Sequence, residues 1–395
     1  YLDPPFNSKR DYNVFLKTPK GHESDAQITA FDDTWHWGEQ AAREFSELLH
    51  HSNTDVAEMI QSLRRFLKEN DMMAYLVMMA NRLVELQRVL KSSGSLYLHC
   101  DPTASHYLKI VLDTVFGATN FRNEIIWKRR TGSSSAVHQS NKFGVCTDSI
   151  FFYAKTAEVS FHPQYNMDAE GYQDYIEKFF KFTDENGRVY RLADLSNPAP
   201  RPNLIYEYKG YKPPVNGWAI SKEKMELWDK EGRLYFPKDI NGRIQRKRFL
   251  DELKGKPVQS LWDDIEPIGA QAAERLGYPT QKPLALLNRI IQASSKTGDI
   301  VLDPFCGCGT TVHAAETLNR EWIGIDITHL AITLIEKRMK DAFPELTFAI
   351  HGTPKDSGGA RNLAERDKYQ FQWWVCSLVN AQPYQGKKKG ADSGI

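Results

Sequence analysis

Asp303-Pro304-Phe305-Cys306-Gly307-Cys308-Gly309-Thr310-Thr311 lies between a short strand-like run, Asp299 to Leu302, and a helix-patterned stretch, Thr310 to Leu318. Strand, glycine turn, helix is an arrangement that brings backbone close to a nucleotide-like ligand, because glycine admits approaches that a Cβ forbids. The loop lacks the Gly-Lys-Ser/Thr ending of a phosphate-binding P-loop. Val312 stands where a dinucleotide fingerprint has its third glycine, so nothing here calls for a pyrophosphate. A further strand, Trp322 to Ile325, leads to Asp326, where a carboxylate can accept both hydroxyls of a ribose. A lone two-glycine loop is also an ordinary strand–helix turn. What favours a ligand site is its combination with Asp326 and with a second cluster at the other end of the chain.

Outward from the loop, the pattern alternates. Pro283 opens a helix whose apolar face carries Leu284, Leu287, Ile290 and Ile291, and Leu330 to Met339 reads as another helix. An earlier α/β half is visible upstream. Met72, Leu76, Met79, Leu83, Leu86 and Leu90 recur at spacings of three and four on one helix face, and Ser92-Ser93-Gly94 stops it. Ser95 to Asp101 reads as a buried strand, Tyr107 to Phe116 as a helix, and Glu124 to Trp127 and Ser149 to Tyr153 as strands. Two segments break the alternation. Residues 21–70 are polar and mostly helical in pattern, with Phe31, Trp35 and Trp37 as an aromatic cluster. Residues 156–275 are rich in Tyr, Lys, Pro and Gly and read as a separate module. His351 to Ala360 reads as a linker, followed by a short apolar stretch, Phe371 to Val379, and Lys387-Lys388-Lys389.

The 395 residues suit two domains, or one core with a large insertion. Basic and acidic residues number 51 and 50, so a nucleic-acid surface has to be local. No apolar run approaches a membrane span, and no signal peptide is visible. The five cysteines include no Cys-x-x-Cys pair, which points to a reducing cytosol; Cys306-Gly307-Cys308 has no completing ligands nearby, so no metal is expected.

The second cluster is Asp3-Pro4-Pro5-Phe6. An exocyclic amine on a nucleobase is a poor nucleophile, because its lone pair is delocalised into the ring. Acceptors on its two N–H bonds favour the tetrahedral nitrogen that attack requires. The Asp3 carboxylate can be one and the Pro4 carbonyl the other. The two prolines fix φ and preset the carbonyl direction, and Phe6 offers a face for a flipped base. Acceptors aimed at charge that develops in the transition state are catalytically efficient. The bland alternative is a Pro-Pro turn. Only Tyr1-Leu2 precede Asp3, whereas a strand feeding such a motif needs about five residues. The native protein is therefore expected to extend beyond the start of this chain, and the tail after Gly352, which reads as a junction into another module, points to extension beyond its end as well.

These motifs together resemble an amino-methylating DNA methyltransferase of the β-type motif order, close to the modification subunits of type III restriction systems. The order matches over nearly all of residues 1–350: the Asp3 motif, Leu96-Tyr97-Leu98-His99, a variable middle, Tyr278-Pro279-Thr280-Gln281-Lys282-Pro283, Asp303 to Thr311, then Gly324-Ile325-Asp326. The resemblance implies an α/β fold, a permuted doubly wound (Rossmann-like) S-adenosylmethionine-dependent core with an inserted target-recognition domain. Residues 1–20 and 71–155 would form the catalytic half, 21–70 a helical insertion, 156–275 the recognition domain and 276–351 the cofactor half. Residues 352–395 would be a linker and tail that could open a further domain. It implies that Asp3, Pro4, Pro5 and Phe6 serve catalysis. Thr280, Gln281, Lys282, Pro283, Asp303, Phe305, Gly307, Gly309, Thr310 and Asp326 would surround S-adenosylmethionine. Asp at the first catalytic position resembles the adenine-N6 branch rather than the cytosine-N4 branch, where Ser is commoner; Phe6 replaces the commoner Tyr.

The middle module should read DNA. Arg243, Arg246, Lys247 and Arg248 lie among Tyr and Trp residues that suit phosphate contact and base reading, and Lys128-Arg129-Arg130 precede a second polar loop. A solvated basic face is the alternative for any one of them. His99 could be structural or could line the target pocket. The expected activity is methylation of adenine N6 in double-stranded DNA, within a restriction-modification system, in the cytoplasm on the nucleoid. Partners left open are a second copy of the chain and a restriction subunit or fused nuclease. Competing readings are cytosine-N4 methylation, RNA or protein-glutamine methylation, and a non-catalytic specificity subunit.

Overall fold

The computed structural model describes residues 1–5, 11–17, 23–32, 35–129, 141, 143–167, 171–269, 271–278 and 280–379. They form two compact units, residues 1–164 with 259–395, and residues 165–258.

The first unit begins with the segment Tyr1–Asp3, followed by an antiparallel hairpin of β1 (Asp11–Lys17) and β2 (Glu23–Asp32). The strand β2 corrects the helical reading of 21–70. Ala26, Ile28 and Ala30 recur at every second position, a strand period, and helix starts only at α1 (Glu39–Leu49). α2 (Thr54–Leu67) is capped by Asn53, whose side chain accepts from the Asp55 and Val56 amides. α3 (Asp71–Val89) is capped by Asn70. The expected apolar face is only part of its burial: every residue from Met73 to Ala80 is buried, so this end of the helix is enclosed on all sides. Each large side chain there is worth about 1.5–3 kcal/mol relative to exposure. β3 (Ser95–Cys100), α4 (Ser105–Phe116), β4 (Phe121–Lys128) and β5 (Thr147–Ala154) complete this half.

The second unit contains β6 (Tyr165–Asn166), α5 (Tyr172–Phe179), β7 (Phe182–Thr183), β8 (Val189–Ala193), α6 (Lys222–Lys230), β9 (Leu234–Tyr235), β10 (Gln245–Phe249) and β11 (Lys256–Pro257). Its sheet runs β7-β8-β10-β9, all antiparallel. Its small core gathers Trp218, Tyr208, Tyr211, Met225 and Ile244, and Trp218 Nε1 donates to the Tyr206 carbonyl at 2.8 Å.

The chain then returns to the first unit through β12 (Leu261–Trp262), α7 (Leu284–Ser294), β13 (Ile300–Asp303), α8 (Thr310–Thr317), β14 (Glu321–Gly324), α9 (His329–Ala342), α10 (Ser357–Arg366) and α11 (Lys368–Leu378). β12 pairs parallel with β4, and Trp127 Nε1 donates to the Ile265 carbonyl, so residues 259–265 are built into the core sheet. The tail also departs from the linker reading. Residues 357–366 are helical, α11 packs on α9, and the Gln370 side chain accepts the His329 amide at 3.0 Å.

The position of Tyr1–Asp3 sets the site. The Leu2 amide donates to Tyr97 O at 2.8 Å, the His99 amide to Leu2 O at 2.9 Å, and the Tyr1 nitrogen to Leu302 O at 3.0 Å. The segment therefore joins β12-β4-β5-β3 on one side to β13-β14 on the other, and Leu2 is a parallel neighbour of Leu98. Asp3 and Asp303 consequently sit side by side at the strand ends of a mixed α/β sheet, where ligands of such sheets bind. No helix among the described residues is long and apolar enough to cross a membrane.

Candidate active site

The loop after β13 is held from within. Asp303 is buried; its Oδ1 accepts the Phe305 amide at 3.0 Å and its Oδ2 the Thr311 hydroxyl at 2.5 Å. Burial raises its pKa. Both oxygens are thus engaged by the loop itself, and Asp303 shapes it. Gly307 and Gly309 have φ of +50° and +75°, in the left-handed region that favours glycine. They do different work. A Cβ on Gly307 would come within 3.2 Å of the Tyr278 ring on the cavity wall, while one on Gly309 would come within 2.8 Å of Ile335 on α9. Gly309 therefore serves loop–helix packing.

Asp326 lies just beyond β14, which ends one residue earlier than the sequence suggested. Its Oδ1 accepts the Thr328 amide and hydroxyl, both at 3.0 Å, and its Oδ2 accepts the Gly307 amide at 3.0 Å. Burial raises its pKa. One donor on Oδ2 leaves that oxygen room for another.

These residues share one cavity of about 700 Å³ with Asp3, Pro4, Pro5, Thr280, Lys282 and Phe305. Asp3 contributes an unusual feature. Its Oδ2 is ion-paired with Lys282 Nζ, while its Oδ1 is buried with no hydrogen-bond partner among the described residues. A buried carboxylate oxygen left unsatisfied costs stability and therefore calls for a donor. The Gln281 amide instead closes its own loop, bonding the Leu276 amide and the Glu274 carbonyl, and Pro283 caps α7. Phe6 lies outside the described residues.

Three groups here were not singled out by the sequence reading. Arg338 is buried and donates from Nη1 to the Cys308 carbonyl at 3.2 Å and to Thr310 Oγ1 at 3.1 Å, and from Nε to His313 at 3.0 Å. It holds the loop from behind, which occupies Thr310. The second is Tyr1, whose hydroxyl lies 2.8 Å from His99 Nδ1. His99 is fully buried, its Nε2 lies 3.1 Å from Asp148 Oδ2, and it is not among the residues lining the cavity, which favours the structural of its two readings. The third is Asp148, whose Oδ1 pairs with Arg129 Nε at 2.9 Å. Burial pushes the Asp148 pKa up, but the His99 hydrogen bond and the charges of His99, Arg129 and Lys282 outweigh it, and the net direction is down. This pairing gives Arg129 a structural partner where sequence suggested DNA. Asp148 carries no local motif that could have revealed it.

The basic run of the second unit is divided by its strand. On β10, Arg248 sits opposite Arg191 and Arg246 opposite Ala193, whereas Lys247 sits opposite Leu192 on the other face, 5.2 Å from the Tyr190 ring centroid. Arg191, Arg246 and Arg248 therefore share a face, and Lys247 does not. None of these three arginines makes an ion pair among the described residues, unlike Arg188 and Arg233, which bind Asp251, Glu252 and Glu231. Arg246 lies over Trp228, and its pKa is lowered by burial first and then by Arg248 and Arg233. Arg243 is exposed, Lys128 is half-buried at the end of β4, and Arg130 lies outside the described residues. Arg191 escaped notice because it stands alone in sequence on β8.

A family model described as DNA methylase matches residues 1–337. This chain belongs to that family. Among similar proteins, the type II methyltransferase M.EcaI of Enterobacter cloacae is 33% identical over 67% of this chain and 57% of its own length. The StyLTI Mod subunit of a Salmonella typhimurium type III restriction-modification enzyme is 26% identical over 81% of this chain and 46% of its own. The chain thus spans about half the length of these relatives. Among solved structures, the cytosine-N4-specific PvuII DNA methyltransferase aligns over 81% of this chain and 82% of its own at 13% identity, with a TM-score of 0.36. The family match ends within α9, so α10 and α11 lie beyond it.

Proposed function

We propose that this chain methylates the exocyclic N6 amine of an adenine flipped out of duplex DNA, using S-adenosylmethionine. The observation that carries the reading is the buried, unpartnered Asp3 Oδ1 in the cavity that also holds Asp326 and the Gly307 loop. The residues fit such a nucleoside: a ribose acceptor with spare capacity, a glycine where a side chain would crowd the wall, and a space of about 700 Å³. Thr280, Lys282 and Phe305 line the same space and would flank the amino-acid end.

When bound, S-adenosylmethionine supplies a sulfonium methyl whose C–S bond breaks as the N–C bond forms, the sulfur leaving as a neutral thioether. The protein's part is positioning. Asp3 Oδ1 accepts one N–H of the amine, and the Pro4 carbonyl accepts the other, so the nitrogen lone pair turns toward the methyl group. Lys282 holds Oδ2 and so fixes which oxygen faces the base. After transfer the nitrogen sheds one proton, which Asp3 takes and passes to solvent. The arginine face of the second unit takes DNA phosphates, as its unpaired charges support.

The likeness to a Mod subunit extends the proposal to work within a restriction-modification system, on DNA in the cytoplasm, with a nuclease as partner. Incubation with labelled S-adenosylmethionine and DNA, RNA or protein acceptors tests it. Label in DNA, recovered as N6-methyladenine, is the expected result. N4-methylcytosine would move the chain to the other branch, and label in RNA or protein alone would overturn the DNA reading.

A further inference from the structure

One face of α11 borders the cavity although it lies beyond the family match. Asp367, Tyr369, Gln370 and Trp373 line the same space as Asp326, Ile327 and Thr328. Tyr369 and Trp373 are four apart on the helix, and Gln370 and Trp373 three apart, so they share a face. That face is fixed at two points. Asp367 Oδ1 caps the helix, accepting the Tyr369 and Gln370 amides at 3.0 Å each. Gln370 Oε1 accepts the amide of His329, the first residue of α9, immediately after the Asp326–Thr328 turn.

The neighbouring lining is apolar as well. Ile325 and Ile327 flank Asp326 and are 51% and 87% exposed. Two uncovered isoleucines beside a ribose acceptor, with two aromatic rings on the same cavity, suit a flat heteroaromatic base. A ribose held at Asp326 would leave its base in the space that Ile327, Tyr369 and Trp373 also line.

We propose that Tyr369 and Trp373 form the wall on which the adenine ring of the cofactor stacks, so that α11 completes the nucleoside site. The proposal rests on reading the cavity as the S-adenosylmethionine site. It assigns to the tail a binding role that the family match does not reach.

The test is equilibrium binding, by calorimetry on the whole chain, of two ligands: S-adenosylhomocysteine and 5′-methylthioadenosine, which lacks the amino-acid end. Trp373→Ala and Tyr369→Ala should each weaken both ligands by the same factor, roughly ten-fold, the scale of losing one aromatic–base stack. Trp373→Phe keeps a ring and should retain most of the affinity, which separates stacking from a folding defect. Unchanged affinity in both alanine variants would overturn the proposal. So would a loss confined to S-adenosylhomocysteine, which would put the rings at the amino-acid end, or a Trp373→Phe variant as weak as Trp373→Ala. Failure of the unmutated chain to bind either ligand would instead remove the cofactor reading of the cavity, and this wall with it.

Discussion

The glycine loop after Asp303, with Asp326, and the basic strand β10 look equally conspicuous as sequence, yet they behave differently as structure. In the loop, neighbouring residues cooperate. Asp303 ties Phe305 to Thr311, and Asp326 reaches back to Gly307, so a contiguous motif becomes a contiguous site. On β10, neighbouring residues separate. Alternation sends Arg246 and Arg248 to one face and Lys247 to the other, and the arginines find their companion, Arg191, on another strand. A turn keeps sequence neighbours together; a strand divides them. A run of like charge on a strand is therefore two half-runs, and only pairing shows which half is a surface.

Substitutions probe this contrast from both sides. The largest effect is expected where the loop meets the Asp3 cluster. Asp3→Ala should lower the methyl-transfer rate by about 10²–10³-fold, because an acceptor aimed at transition-state charge is removed. Binding of S-adenosylhomocysteine, measured by calorimetry, should barely change. Near-normal turnover in this variant would show that the orphaned oxygen is incidental.

Asp326→Ala should cost about 1–3 kcal/mol of S-adenosylhomocysteine affinity through the absence of a charged acceptor. A pH titration of the same affinity adds a sign. Burial raises the Asp326 pKa, so on acidification the carboxylate takes up its proton at higher pH than an exposed Asp, near 3.9. The ionised acceptor is present above the raised pKa and lost as pH falls through it. Affinity should therefore weaken above the usual carboxylate range in the unmutated chain and be flatter in Asp326→Asn. Identical acid limbs would remove Asp326 from the ribose.

Gly309→Ala should destabilise the fold by about 1–3 kcal/mol, since its φ of +75° strains any side chain and the Cβ meets Ile335. Thermal unfolding of both proteins measures it, and an unchanged melting temperature would mean that the α9 packing is soft. The smallest effect tests the strand. Replacing Arg191, Arg246 and Arg248 together by Ala should flatten the salt dependence of DNA binding, by about one in slope for each phosphate that is no longer neutralised. Lys247→Ala should leave the slope alone. Equal slopes for the two variants would return Lys247 to the same surface.

Much of the first unit was readable because its signals are local. The glycine loop, the strand at Ser95–Cys100 and the helices after Pro283 and Thr310 all announce themselves over a few residues. What escaped depends on distant pairing. The hairpin strand Glu23–Asp32 lies in a polar stretch whose two-residue period is faint. Arg338, Asp148 and Arg191 become meaningful only beside partners far along the chain. The tail was misjudged for the same reason. Gly358 and Gly359 look like a linker, but the Asp356 side chain caps α10 through the Gly359 amide, and packing on α9 holds the helix that follows. Asp3 stood out in the sequence beside its two prolines, whereas its unsatisfied oxygen and its Lys282 partner needed coordinates.

The decisive measurement is mass analysis of nucleosides from duplex DNA incubated with S-adenosylmethionine and either the unmutated chain or Asp3→Ala. N6-methyladenine is expected from the unmutated chain and almost none from the variant. Unmodified DNA in both reactions, or equal N6-methyladenine in both, would overturn the role given to Asp3 and the activity built on it.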